Sequence, residues 1–262
     1  MAAAYLRARR LRDRSLAVLN GVFDGVWLGL LDRPALAELD SAYYDARRAA
    51  PARDRDYADE RYNLRGLTGW EEEAVLAHFP LGASVTVTAA GAGREVIALC
   101  RLGYDAVGYE PNPVLVEAGR ALMKREGLGD RLTGCERDVF PAQAAPTGAV
   151  VVGWGSYGLV PGAARRVSLL RAARVRLPEG APLLVSFFLR PRRDRYFSIV
   201  LRSANVLRRL RGAEPAELGD TLAWNYVHHF TRQEVEAELS SAGFELELFT
   251  GEPYAHALGR AA

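Results

Sequence analysis

The sequence predicts an α/β fold built on a doubly wound, mostly parallel sheet, and three observations predict it. Strand-like and helix-like segments alternate from about residue 85 to residue 190, the pattern of parallel strands joined by helical crossovers. A loop of very small residues, Ala89 to Gly93, separates the first apolar run, VTVTA, from the first of those helices. The last two strand-like runs, FELELFT and YAHALGRA, are joined by a short Gly-Glu-Pro turn, so the sheet ends in an antiparallel hairpin.

The elements follow in order. Residues 1–80 read as an N-terminal helical cap, closed by a helix in which Thr68 and Glu71 have capping-box spacing. Residues 81–262 read as the sheet domain: VTVTA, a helix from Glu95, the strand DAVGYE, a helix from Pro113 through Lys124, a strand in RLTGCERDVF, the strand AVVVGW, a helix from Ala163 through Val175, and the strand PLLVSFF. An insertion at about 190–220, LRPRRDRYFSIVLRSANVLRRLRG, carries eight arginines against Asp194 and has apolar residues at helical spacing. A strand over YVHHF and a helix capped by Thr231, with Glu234 three residues on, then lead into the hairpin.

A chain of 262 residues with 49% hydrophobic composition is long enough and apolar enough for a substantial core. The formal net charge of +2 gives no overall field for nucleic acid, and no nucleic-acid-binding motif accompanies the arginines. Cys100 and Cys135 are too few for a disulfide framework and have no CxxC companion, which suits a reducing, cytoplasmic setting. The run from Arg7 to Ala37 imitates a secretory leader, but Asn20 and Asp24 interrupt its apolar stretch and Asp32 and Arg33 precede the small-residue ending. It is also too short and too polar to span a bilayer, so an amphipathic helix is expected there.

A turn of small residues between a strand and a helix lets a ligand approach the backbone where a side chain would fill the space. A dinucleotide site would read GxGxxG, and here Gly91 and Gly93 are followed by Val96, so the third glycine is missing. Glu110, at the end of the second strand and directly before Pro111, lies about 20 residues on, where an acid binds a ribose diol. That acid suits a dinucleotide and S-adenosylmethionine equally.

From about residue 60 onward the ordered set of motifs resembles the class I S-adenosylmethionine-dependent methyltransferases. The loop positions of that family are matched by Val87, Ala89, Gly91 and Gly93, its ribose acid by Glu110, and its adenine-side acid by Asp138, with Val139 beside it in CERDVF. AVVVGWGSYGLVPG resembles the strand that runs beside the methionine moiety, which places Trp154, Gly155 and Ser156 there. The resemblance implies a seven-stranded methyltransferase-type sheet with a terminal antiparallel hairpin, S-adenosyl-L-methionine as cofactor, and methyl transfer to a small-molecule acceptor through an oxygen or nitrogen nucleophile. Cofactor contacts are implied at Tyr62, Ala89, Gly91, Gly93, Glu110, Pro111, Asp138, Val139, Trp154 and Gly155. Two positions depart from the family pattern: Val87 stands where an acid usually orders the cofactor's amino end, and Thr147-Gly148-Ala149 lacks the acid common before the fourth strand. Tyr62, Asn63 or the backbone after Trp154 is available to hydrogen-bond the ammonium group instead. A cofactor-binding partner without turnover and a nicotinamide-dependent oxidoreductase are the competing readings.

Three residues are candidates for the chemistry itself. His228 and His229 precede the helix cap, and because strand neighbours face opposite sides, at most one of them reaches a cleft; His229 is favoured as a general base. Tyr157 lies where the fourth strand opens toward the expected cleft. Cysteines, histidines and acids do not fall at ligand spacing on any one predicted element, so no metal is expected. The arginine-rich segment reads as a solvated helix face, as a dock for an anionic acceptor, or, third in order, as a membrane-surface helix.

Overall fold

The computed structural model describes residues 2–48, 57–191, 195–222 and 224–262, with the side chains of 2–14 and 45–48 outside the description. Arg192, Arg193 and Asp194 of the insertion therefore lie outside the described residues. The chain forms two compact units, one of residues 1–40 and 190–229 and a larger one of residues 41–189 and 230–262. This division differs from the boundary near residue 80 that the sequence texture suggests, because the first 40 residues group with the arginine-rich insertion.

The larger unit holds a seven-stranded sheet. Its strands are β1 (Ser84–Thr88), β2 (Asp105–Glu110), β3 (Leu132–Gly134), β4 (Ala149–Val152), β5 (Pro182–Ser186) and, after the two-residue β6 (Phe188–Leu189) and two strands described below, β9 (Phe244–Thr250) and β10 (His256–Ala261). The order across the sheet is β3-β2-β1-β4-β5-β10-β9. β1 pairs in parallel with β2 and β4, and β4 with β5, whereas β10 runs antiparallel to both β5 and β9. The predicted doubly wound sheet with a terminal hairpin is thus the observed one.

Strand periodicity decides how each face is filled. Val150, Val152, Leu183 and Val185 point into one core with Leu170 and Leu239, while Val85, Val87, Val151 and Leu184 point into the other with Ile97 and Leu122. Successive strand residues face opposite sides, so two-sided burial requires the unbroken apolar runs seen in the sequence. Each fully buried aliphatic side chain stabilises by roughly 1.5–3 kcal/mol relative to exposure. Helices α5 (Arg94–Arg101), α6 (Pro113–Arg125), α7 (Ala163–Arg174) and α9 (Arg232–Ser241) are the crossovers, preceded by α3 (Glu60–Leu64) and α4 (Gly69–His78). Both predicted capping boxes form: the backbone N–H of Thr68 donates to Glu71 at 2.6 Å and that of Thr231 to Glu234 at 2.6 Å.

The smaller unit is built on a helix pair. α1 (Ala2–Leu30) lies against α8 (Arg195–Leu210), with the start of α2 (Arg33–Arg48) and the antiparallel pair β7 (Asp220–Leu222) and β8 (Tyr226–Phe230). β8 continues at Phe230 into the larger unit. Gly21, Gly25 and Gly29 form the contact stripe: a Cβ on Gly25 would stand 2.6 Å from the Val200 carbonyl oxygen, and one on Gly29 2.8 Å from Leu207 Cβ. The unit's core is Leu28, Leu36, Val200, Ala204, Leu222 and Tyr226. Arg208 donates to the Leu28 carbonyl from Nε and from a terminal nitrogen at 3.1 and 3.0 Å, and Arg211 donates to the Leu30 carbonyl, so two of the insertion's arginines close the end of α1.

Candidate functional site

The site is assembled at the carboxyl edge of the parallel strands, where crevices form in open α/β sheets. Between β1 and α5 the chain turns through Ala89 and Gly91, both with positive φ (50° and 57°), and Gly93, at 94°. On Gly91 a side chain would enter open space, so the glycine leaves room above the loop as well as meeting the conformational demand. Ala89 occupies the family's first glycine position in the left-handed conformation that glycine would adopt freely; such strain costs on the order of 1–3 kcal/mol and gathers at functional loops.

Glu110 closes this loop from β2. One of its carboxylate oxygens accepts the Gly91 N–H at 2.8 Å, the other accepts the Asn112 N–H at 2.8 Å, and the residue is 6% exposed. Glu110 and Pro111 line an open groove with Val116, Gly134, Cys135 and Gln143. Asp138 lies in the turn after β3 with φ 63°, a second non-glycine residue in the left-handed region, and Val139 beside it is 40% exposed. Burial and the nearby Glu110 push the Cys135 thiol up to about 11, which leaves it protonated and unreactive near neutrality.

At the other end of the loop lies a buried charge cluster that the sequence reading did not foresee. Arg94 makes a bidentate pair with Glu71 at 2.6 and 2.7 Å and a third bond to Glu95 at 2.7 Å. Burial opposes the Arg94 charge, but Glu95 and Glu71 outweigh it and raise the guanidinium above its ordinary value. Two carboxylates facing one guanidinium leave an excess negative charge at the loop where Val87 supplies none. Glu95 also accepts the Trp154 N–H at 3.2 Å, which ties the cluster to the end of β4. Tyr62 belongs to the same neighbourhood: burial pushes its phenol up to about 12, against the opposing pull of Arg94. Asn63 does not reach toward a ligand, since its amide donates to the carbonyls of Tyr57 and Asp59.

Beyond β4, the N–H of Gly155 donates to Ser186 Oγ at 2.9 Å, and the Trp154 ring stacks on Tyr254 with centroids 4.7 Å apart. Tyr254 in turn stacks on Trp70, and Phe188 meets it edge-on at 5.6 Å. These rings wall the carboxyl edge with apolar surface.

The structure thus puts Glu110 and Pro111 on one groove, with Glu110 bonded to Gly91 of the loop, and ties Trp154 to the loop's other end through Glu95. Of the three catalytic candidates, Tyr157 and His228 are engaged in buried hydrogen bonds. The Tyr157 hydroxyl donates to Glu238, which also pairs with Arg166 at 2.7 Å; all three are buried, and burial with the Glu238 charge holds the phenol well above its ordinary value. Tyr157 is therefore a core residue with a committed proton, contrary to the expected pocket role. His228 and His229 do face opposite ways. His228 Nδ1 lies 2.7 Å from Asp220 Oδ1, which also accepts from the Tyr226 hydroxyl at 2.7 Å. The half-buried His229 ring packs on Phe197 at 5.0 Å, and burial lowers its pKa below 6.5, so it is neutral at pH 7. Glu217, Asp220 and His228 present ligand atoms within 4.8 Å of one another, a grouping that strand pairing between β7 and β8 creates. Asp220 Oδ2 already accepts the Glu217 N–H at 2.8 Å, so both oxygens of that carboxylate are engaged within the unit.

No protein-family model matches the chain, and no curated protein matches it in sequence. Solved structures do match. A methyltransferase from Methanosarcina mazei, described as SAM-dependent, aligns with a TM-score of 0.55 at 16% identity over 74% of this chain and 96% of its own. Another match is SAM-bound CalS10, an amino pentose methyltransferase from Micromonospora echinaspora, with a TM-score of 0.54 at 16% identity over 77% and 95% of the two chains. The chain has the class I methyltransferase fold. The mitomycin 7-O-methyltransferase MmcR is similar as well, with a TM-score of 0.51 at 19% identity over 74% of this chain and 53% of that one. In methyltransferase terms, β1 to β5 with the terminal hairpin reproduce the order that places the glycine loop and Glu110 side by side.

Proposed function

We propose that the chain binds S-adenosylmethionine and transfers its methyl group to a small-molecule oxygen or nitrogen nucleophile. The observation that carries the reading is the Glu110 carboxylate, held by two backbone N–H groups beside a left-handed glycine loop at the carboxyl edge of this sheet. The open space at Gly91 and the carboxylate of Glu110 beside it fit a ribose diol, and the excess charge of Glu71 and Glu95 fits an ammonium group. CalS10 and MmcR, whose names give an amino sugar and an oxygen as methyl acceptors, support a small acceptor.

When bound, the cofactor supplies a methyl group already activated by its sulfonium centre, so the protein's contribution is mainly positioning and exclusion of water. Glu110 accepts hydroxyl hydrogen bonds, Glu95 with Glu71 balances the positive amino end, and Trp154, Tyr254 and Phe188 present apolar surface to the acceptor. The base for an acceptor that must lose a proton is assigned to His229, because its imidazole is neutral at pH 7 whereas Tyr157 holds its proton. Calorimetry with S-adenosylhomocysteine and with NADH tests the ligand. Binding of the first alone, with release of that product when an acceptor is supplied, is expected; His229→Asn should lower turnover about a hundredfold or more and spare cofactor affinity. Binding of NADH alone overturns the proposal, and cofactor binding without turnover on any acceptor moves the reading to a non-catalytic module.

A further inference from the structure

Between residues 15 and 30 α1 is apolar on both of its faces. One stripe, Gly21, Gly25, Leu28 and Gly29, is consumed by α8. At 100° per residue, Leu16, Leu19, Phe23, Val26, Trp27 and Leu30 fall on the opposite side, and all are exposed: Leu19 to 65%, Phe23 to 64% and Trp27 to 47%. The helix is not the amphipathic one the sequence suggests, because its close contact is made by glycines and its large side chains are left outside. A helix that is hydrophobic all round is normally covered, and a contiguous exposed patch of this kind marks a docking surface.

Charge selects the occupant. The unit of residues 1–40 and 190–229 contains 14 basic and 9 acidic residues, a net +5, whereas the rest of the chain has 20 and 23, a net −3. Within α8, Arg195, Arg202 and Arg209 recur every seventh residue and, with Val206 and Leu210, make its exposed face. Arg208 and Arg211 are committed to the carbonyls of α1, so the three arginines of that stripe are the cations α8 leaves facing solvent. Exposed aromatic and aliphatic side chains on one helix, with solvent-facing arginines on the helix packed against it, are the chemistry that enters the interface of an anionic bilayer, the rings at headgroup depth and the guanidinium groups on the lipid phosphates. No single helix among the described residues is long and apolar enough to cross a membrane, α1 and the following helix pass that test only as a pair bent by 119°, and α1 has one face taken by α8, an arrangement suited to attachment at the surface.

We infer that this unit docks the protein on an anionic membrane surface through the outer face of α1 and the arginine stripe of α8. The inference stands apart from the cofactor reading, since it uses none of the same residues. Flotation of the full chain with vesicles of phosphatidylcholine alone, and of phosphatidylcholine with an equal part of phosphatidylglycerol, tests it. The wild type should float with the anionic vesicles, lose that binding as salt rises, and remain at the bottom with the neutral ones. Arg202→Glu with Arg209→Glu should weaken partition roughly tenfold to thirtyfold, about 1 kcal/mol for each arginine near the surface. Phe23→Glu with Trp27→Glu should abolish it; both side chains are exposed, and circular dichroism with a thermal melt confirms that each variant is folded. No flotation of the wild type, or equal flotation with neutral vesicles, overturns the proposal. So does a wild-type dimer in light scattering that the Phe23 and Trp27 variant converts to a monomer, because a second copy of the chain is then the occupant.

Discussion

At the scale of the residue, the proposed cofactor contacts give separate parts to two acids, Glu110 and Glu95. Glu110 was legible in the sequence because its role depends on local features: an apolar strand before it, a proline after it and a glycine loop about 20 residues earlier. Glu71 and Glu95 were not, since Glu71 meets Arg94 across 23 residues and only the folded chain shows that the three side chains share one buried site. Tyr157 misled for the same reason, its partner Glu238 lying 81 residues away. The two acids should respond differently. Glu110→Ala removes charged hydrogen bonds worth roughly 1.5–3 kcal/mol and should weaken S-adenosylhomocysteine binding about tenfold to a hundredfold. Glu95→Gln keeps the bond to Trp154 N–H within reach while removing the charge, so it should weaken S-adenosylhomocysteine but leave binding of 5′-methylthioadenosine, which has no amino acid moiety, nearly unchanged. Equal losses for both ligands in the Glu95 variant would assign that carboxylate to the fold.

Elements announced themselves where a chemical signal marks their ends. Thr68 with Glu71, Thr231 with Glu234, and Asn112 ahead of Pro113 start α4, α9 and α6 where the sequence predicts. β7, three residues long, carries too little periodicity to be read, and β3, read within RLTGCERDVF, is confined to Leu132–Gly134. α1 is the instructive case. Its glycines every fourth residue look like weak helix formers, costing about 1 kcal/mol each against alanine, yet they allow the backbone of α8 to approach. Gly25→Leu should therefore destabilise despite its better helix propensity. The side chain would meet the Val200 carbonyl and Ser203, and overpacking of this kind costs typically 1–3 kcal/mol. A lowered thermal midpoint is the expected result, and a raised one would mean that the two helices separate readily.

For the whole molecule, the sheet order was readable because topology follows from the sequence of strands, helices and the close final turn, whereas the grouping of residues 1–40 with 190–229 was not. That grouping depends on one long-range helix contact between residues almost 180 positions apart, and no periodicity encodes a partner so distant. Each unit also holds one histidine that folding keeps neutral. Burial lowers the pKa of His229 in the smaller unit, and burial likewise lowers that of His256, whose ring stacks on Trp70 at 4.4 Å in the larger. In both cases the unfolded chain accepts a proton before the folded one does. Their contribution to stability is therefore complete above the unfolded value near 6.5, declines as the pH falls through it, and stops changing once the pH lies below the folded values. Thermal midpoints measured between about pH 8 and about pH 5 should fall on acidification, in a range that lies above the ordinary titration of the carboxylates. His229→Gln with His256→Gln should flatten the profile across that window, even if the midpoint is lower throughout. A wild-type midpoint that rises on acidification would mean that the two rings gain protons on folding, and would remove the basis for a neutral His229 as the base.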